Sequence, residues 1–255
     1  MKLGVFRAVG TTYTFGLRHF PAFYLLCLLA GLPSIIYAVA SGQTNIGQFL
    51  AMQGWARDLT TALEILLTGF VTAVMGWTLI RDRQDESWTI FAALRDALER
   101  SPTIIGVGVV LAVATTILST TIDVLAEVSP LAVFIPMLIA CVLSLIFAVV
   151  LPCAAIDNEG VVDCFGSSAA LTQGSRWRIF AVYFLIGIPL VIAMAVFLLV
   201  VQPGAQGFDG LPITWLFLGA PALNLFLIAG SVAIHEQLAE LEDGVVLGDT
   251  AAVFD

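Results

Sequence analysis

PLAVFIPMLIACVLSLIFAVV, residues 130–150, carries no Asp, Glu, Lys or Arg, and its apolar residues run on without alternation. A transmembrane helix needs about 20 mainly apolar residues to cross roughly 30 Å of hydrocarbon. A membrane barrel strand is shorter and alternates apolar with polar positions. The stretch therefore predicts a membrane-spanning helix. Five more stretches of this kind flank it, over about residues 21–40, 60–80, 102–122, 179–201 and 212–234. Pro21, Pro102, Pro130 and Pro212 open four of the six, where a missing N–H is harmless because first-turn donors have no intrahelical acceptor. Ser101 and Ser129 precede two of those prolines as N-caps.

Composition agrees. The chain of 255 residues is 60% hydrophobic and 11% charged, with mean hydropathy +1.02. Soluble domains run at about 45–50% apolar and about 25% charged, which excludes a soluble globular protein and a disordered chain. The net charge of −9 offers no basic footprint for nucleic acid. The expected fold class is an all-α polytopic membrane protein with six transmembrane helices. Residues 1–238 are expected to form one membrane domain, and residues 239–255 an acidic tail.

Lys and Arg set the orientation, because positive residues stay on the cytoplasmic side. Lys2, Arg7 and Arg18 precede the first span, Arg81, Arg83, Arg95 and Arg100 lie between the second and third, and Arg176 and Arg178 between the fourth and fifth. Only Arg57 falls on the other side. Both termini are expected in the cytoplasm, and the membrane to be a bacterial inner membrane. Ala38-Val39-Ala40 has the small residues of a signal cleavage site, but the segment before that apolar stretch is long for a signal n-region, so it is expected to be retained. Cys27, Cys141, Cys153 and Cys164 form no CxxC pair and read as small packing residues.

The segments preceding spans one, three and five share a pattern. Aligning Phe6, Phe91 and Phe165 gives three stretches in which an amphipathic helix leads into a helical hairpin, a threefold repeat. In the middle copy Trp88, Phe91, Leu94 and Leu98 fall on one face, with Asp96 and Arg100 at i,i+4 spacing on the polar remainder. In the first copy Leu3, Phe6, Tyr13 and Leu17 do the same. Such helices lie in the membrane interface. Phe6, Trp88, Phe91, Phe165, Trp177 and Arg178 are accordingly the candidate lipid-contacting residues. They either anchor the bundle or form a collar around a lipid-accessible cavity.

Ionisable groups at bilayer depth are costly and mark function. Glu64, about one turn inside span two, and Asn224 in span six, three residues after Pro221, are the candidate intramembrane polar residues. Thr115, Thr116, Ser119, Thr120 and Thr121 are expected to bond their own helix backbone. His235-Glu236 has the residue types of a base pair or a metal ligand, but adjacent helical residues diverge, and nothing nearby in sequence completes a tetrahedral set. Gly166-Ser167-Ser168-Ala169 lacks the G-x-S-x-G spacing of a nucleophile turn, and no P-loop, dinucleotide fingerprint or HExxH occurs. No enzyme, catalytic residue, metal or cofactor is expected.

The segment LPCAAIDNEGVVDCFGSSAALTQGSRWRIFAVYFLIG, residues 151–187, joins a Pro-closed span to small residues, Asp157, Glu159 and Gly160. Phe165, a Ser pair, Leu171, Gly174 and Trp177-Arg178 follow, opening span five. This resembles bacterial membrane proteins grouped with the membrane domain of glycerophosphodiester phosphodiesterases and with the YciC-like inner-membrane family. The tail, Leu241-Glu242-Asp243-Gly244 and a final Ala251 to Asp255 run, is similar to that of some members. The resemblance implies a six-helix inner-membrane module and no reaction. Some such relatives carry a fused phosphodiesterase domain, for which this chain is expected to have no room, and the stretch after span six has no Lys or Arg. Membrane lipids are the expected partners, with another membrane protein or a second copy as the further option. A non-catalytic lipid-binding module, an accessory subunit and a transporter are the three readings carried forward. Small-residue pairs Gly69/Ala73 and Gly108/Ala112 favour the second, and Pro33 and Pro221, which could break spans, the third.

Overall fold

The computed structural model describes residues 3–43, 54–83, 89–129, 131–157, 159–201 and 213–252. Every regular element among them is a helix: α1 Val5–Arg18, α2 Phe20–Ala30, α3 Leu32–Ala40, α4 Trp55–Arg83, α5 Ile90–Glu99, α6 Ser101–Val128, α7 Phe134–Ile146, α8 Val150–Ile156, α9 Val161–Leu171, α10 Arg176–Val201 and α11 Ile213–Ala252. Five helices are long and apolar enough to cross a membrane: Trp55–Asp82, Ser101–Val128, Phe134–Ile156, Arg176–Ala193 and Phe217–Leu241. The bent pair α2 and α3 makes a sixth. The chain is an all-α polytopic membrane protein.

Two spans depart from the continuous helices expected. The first is broken by 49° between α2 and α3. Proline cannot donate to the carbonyl four residues back and collides with it. Gly31 ends α2, so that Pro33 stands in the first turn of α3, where that donor is not needed. The fourth starts at Phe134 rather than at Pro130 and reaches Ile156, beyond the expected Val150. It is interrupted between Phe147 and Val149, because Pro152 has no N–H for the Ala148 carbonyl.

Helices α4 and α11 are central: 50% and 56% of their spanning windows are buried, against 22% for α6 and 17% for α10. Val74, Met75, Leu225 and Ile234 lie at their core. Leu138, Ile117, Ile135 and Val191 face outward, as they do where lipid tails are as apolar as the core and packing, not water exclusion, holds helices together. The small residues serve that packing. A Cβ on Gly69 would stand 2.9 Å from Ile104 Cγ2, and one on Gly108 2.6 Å from Leu66 Cδ2. Both small-residue pairs therefore seat α4 against α6, inside the bundle.

Of the five hydroxyls expected to close onto their own turns in α6, Thr115, Ser119, Thr120 and Thr121 do so, Thr115 donating to Leu111 O at 2.8 Å and Thr121 to Ile117 O at 2.7 Å. The ion pairs sort by end. Arg18 meets Asp82 at 2.8 Å, Arg7 meets Glu240 at 2.9 Å, Arg81 pairs with Asp96, and Arg178 donates to Leu3 O at 2.8 Å, all at one end of the bundle. Arg57 meets Asp123 at 3.4 Å at the other. Asp96 thus pairs across helices with Arg81, not within α5 with Arg100. The i,i+4 pair of α5 is Arg95 with Glu99, 3.5 Å apart.

A short helix precedes each of three helical hairpins: α1 before α2–α3 and α4, α5 before α6 and α7–α8, α9 before α10 and α11. Burial corrects the register of the third copy. In α1, Ala8 and Thr12 are buried and Phe6 is 85% exposed; in α5, Ala93 and Ala97 are buried and Phe91 is 83% exposed. In α9, Cys164 and Ser168 are buried and Val162 is 81% exposed. Val162, not Phe165, is therefore the counterpart of Phe6 and Phe91. Each short helix turns small residues to the bundle at these two positions and leaves Phe6, Phe91 or Val162 outside.

Candidate functional site

A cavity of about 510 Å³ opens between α2, α3, α4, α6, α8 and α11. Its wall is apolar except for Ser34, Thr61, Glu64, Thr68, Thr115 and Asn224. Glu64 and Asn224, the two intramembrane polar residues found in the sequence, thus meet at one site from different helices. Ser34 sets its hydroxyl and its backbone N–H beside the Glu64 carboxylate. Ser34 stands one residue after Pro33, so the break between α2 and α3 is what brings its free N–H to the cavity. The backbone carbonyl of Thr68 accepts from the Thr72 hydroxyl at 2.8 Å. Gly31, at the break in span one, and Pro221, inside α11, also line the cavity. Sequence reasoning missed Ser34, whose only signal was a polar residue beside a proline in an apolar run.

The interfacial candidates divide. Phe6, Phe91 and Trp177 are exposed. Phe165 packs edge-on against Phe147 with centroids 5.3 Å apart, so it serves the interior. Arg178 is turned inward to the Leu3 carbonyl. Trp88 lies outside the described residues.

A second polar group gathers where α8 and α9 meet α11. His235 is 3% exposed, and its Nε2 lies 3.0 Å from Asp157 Oδ2. The Cys153 thiol, fully buried, completes a triangle in which one donor atom of each residue lies within 4.8 Å of the others. Glu159 and Ser167 are hydrogen-bonded at 2.9 Å and line, with Asp157 and His235, a cavity of about 420 Å³. Burial, with help from Glu159 and then Asp157, pushes the Cys164 thiol up to about 11, so it is protonated at neutral pH. In sequence His235 stands beside Glu236; in space its partners are Asp157 and Cys153, which no local pattern announces.

The fold and its sites define a helical membrane protein with an intramembrane polar cavity. Comparison with protein-family models, curated proteins and solved structures gives no match for the chain.

Proposed function

We propose that the chain is a non-catalytic membrane module that binds an amphiphile, with a cationic or hydrogen-bond-donating head at Glu64 and Asn224 and its apolar part along Ile35, Ile65, Leu111 and Leu151. The convergence of Glu64 and Asn224 in one mostly apolar cavity carries this reading. Ligand pockets of roughly 300–1,000 Å³ combine an apolar wall with a few convergent polar groups, and a carboxylate at this depth needs a partner. A membrane lipid is the natural source of such a ligand. The positive-inside rule supports an inner membrane of bacterial type with both termini cytoplasmic, and the resemblance of residues 151–187 to the glycerophosphodiester-phosphodiesterase membrane domain supports a role in envelope lipid homeostasis.

Transport of the same amphiphile is a second reading, favoured by one observation: the cavity is walled by a broken span and by Pro221, and transporters build midplane sites from discontinuous helices. The accessory-subunit reading loses its support, because the small-residue pairs it relied on pack inside the bundle.

Native mass spectrometry of gently extracted protein tests the proposal. The expected result is a stoichiometric lipid-sized adduct that Glu64→Gln and Asn224→Leu each deplete. An adduct unchanged by both substitutions, or none on the wild-type chain, overturns it. Uptake into vesicles that the same substitutions abolish separates transport from simple binding.

A further inference from the structure

We propose that Cys153, Asp157 and His235 form a binding site for a divalent cation of the zinc type, independent of the amphiphile cavity. Thiolate, imidazole and carboxylate are the donor types zinc takes, with three protein ligands leaving a fourth position open. Bonds of about 2.0–2.3 Å at tetrahedral angles put ligand atoms roughly 3.3–3.8 Å apart. The observed triangle, with one edge of 3.0 Å and none above 4.8 Å, needs shifts of only about 1 Å or less to reach that geometry.

The arrangement does not suit nucleophilic catalysis. A Cys–His–carboxylate relay places the imidazole between thiol and carboxylate, each on its own ring nitrogen. Here His235 Nε2 is taken up by Asp157 Oδ2 at 3.0 Å, and one donor atom from each of Cys153, Asp157 and His235 lies within 4.8 Å of the other two. Three donor atoms this close to one another form a set converging on one point rather than a linear relay.

Two independent features point to a cation. Glu159 Oε2 is buried without a hydrogen-bond partner, and its carboxylate lines the cavity that Asp157 and His235 also line. A buried carboxylate oxygen left unpaired is costly, and a cation, directly or through a bound water in the open position, satisfies it. None of the arginine ion pairs among the described residues includes Asp157 or Glu159. The same cavity supplies the room and the entry path that a metal site requires. On binding, the cation takes the place of the proton between Nε2 and Oδ2, and that proton passes through solvent to Nδ1 of the same ring. His235 ligates as the neutral imidazole, Cys153 as the thiolate, and its S–H proton leaves to solvent.

The test uses the full chain in lipid nanodiscs, stripped with chelator and titrated with Zn²⁺ and with Co²⁺. The expected result is one saturating equivalent per chain and, with Co²⁺, a thiolate-to-cobalt charge-transfer band in the near ultraviolet. Cys153→Ser removes the band. His235→Gln weakens affinity by more than the ~10–100-fold that loss of an outer-shell contact costs, and Cys141→Ser, outside the group, changes neither. Asp157→Asn, close in size, covers the case in which another variant fails to fold, and it too weakens binding. Absence of saturable binding by the wild-type chain overturns the site, as does a band that survives Cys153→Ser or depends on Cys164 instead. Because Glu64 and Asn224 are not part of the group, Glu64→Gln leaves metal affinity unchanged whatever becomes of the amphiphile.

Discussion

Arg18 Nη1 lies 2.8 Å from Asp82 Oδ2, joining the last residue of α1 to the end of α4. His19 follows at once, its ring edge-on between Phe15 and Phe23 at centroid distances of 5.2 and 5.7 Å. An ion pair with one well-exposed partner contributes under about 1 kcal/mol. The pair also flanks His19, on which its two charges act in opposite directions.

Burial lowers the pKa of His19 from the ordinary 6.5; Asp82 opposes that shift and Arg18 adds to it. A histidine that resists protonation when folded binds fewer protons than its unfolded counterpart below pH 6.5, so stability falls with pH there. The loss levels off below the folded pKa. Thermal unfolding followed from pH 7.5 downward is expected to show this slope, and His19→Gln to flatten it. Asp82→Asn removes the opposing charge and carries the slope to lower pH.

Phe165 and Phe91 are expected to respond in opposite ways, although one sequence pattern selected both. Phe165 packs against Phe147 and the core, and truncating a buried aromatic costs roughly 3–5 kcal/mol. Phe165→Ala, only partly buried, is expected near the lower end of that range. Phe91 is 83% exposed, so Phe91→Asp leaves the unfolding temperature almost unchanged and instead weakens the seating of α5 in the interface. Tryptophan-free lipid quenching of a probe on α5, set beside thermal melts, checks both.

The spans were legible because a long uncharged apolar run has one structural solution in a membrane. Glu64 and Asn224 were legible one at a time, since each is the wrong residue type for its depth. What was not legible is pairing at long range. Residues 21–40 carry no charged residue and read as one run, and only the coupling of Gly31 with Pro33 divides them. Asp96 has Arg100 at helical spacing, yet Arg81 reaches it from α4. Phe165 matched Phe6 and Phe91 in residue type, while its helix buries Cys164 and Ser168 and so puts Val162 in their place. Asp157 and His235 are separated by most of two spans, and only the packing of α8 and α9 against α11 reveals them as neighbours.

Gly106 is the least replaceable of the glycines at the helix contacts. A Cβ there would collide with Cγ2 of Val161, and one on Gly108 would come within 2.6 Å of Leu66 Cδ2. A leucine tip swings aside, but a β-branched valine is held near one χ1. Overpacking costs about 1–3 kcal/mol, against a helix-propensity gain of up to about 1 kcal/mol for Gly→Ala. Gly106→Ala is expected to destabilise and Gly108→Ala to be nearly neutral. Adding Val161→Ala should recover most of the loss, and a double-mutant cycle with coupling below about 0.5 kcal/mol would count against the contact.

Pro33 decides whether Ser34 reaches Glu64. Were span one a single continuous helix, Pro33 would sit in its interior at a cost of about 3 kcal/mol or more; the break removes that cost and directs the Ser34 N–H and hydroxyl to the Glu64 carboxylate. Pro33→Ala lets the helix straighten, but straightening forfeits the Ser34 hydroxyl and N–H contacts to Glu64, hydrogen bonds of this kind being worth roughly 0.5–1.5 kcal/mol each. The two terms are of similar size, so the unfolding temperature is expected to move little. The cavity registers the change, since a straightened α3 withdraws Ser34 and Ile35 from its wall. Pro33→Ala is therefore expected to lose the lipid-sized adduct while remaining folded, measured by native mass spectrometry beside a thermal melt. Retention of the adduct at wild-type stoichiometry would show that the break is a packing detail and not part of the binding site.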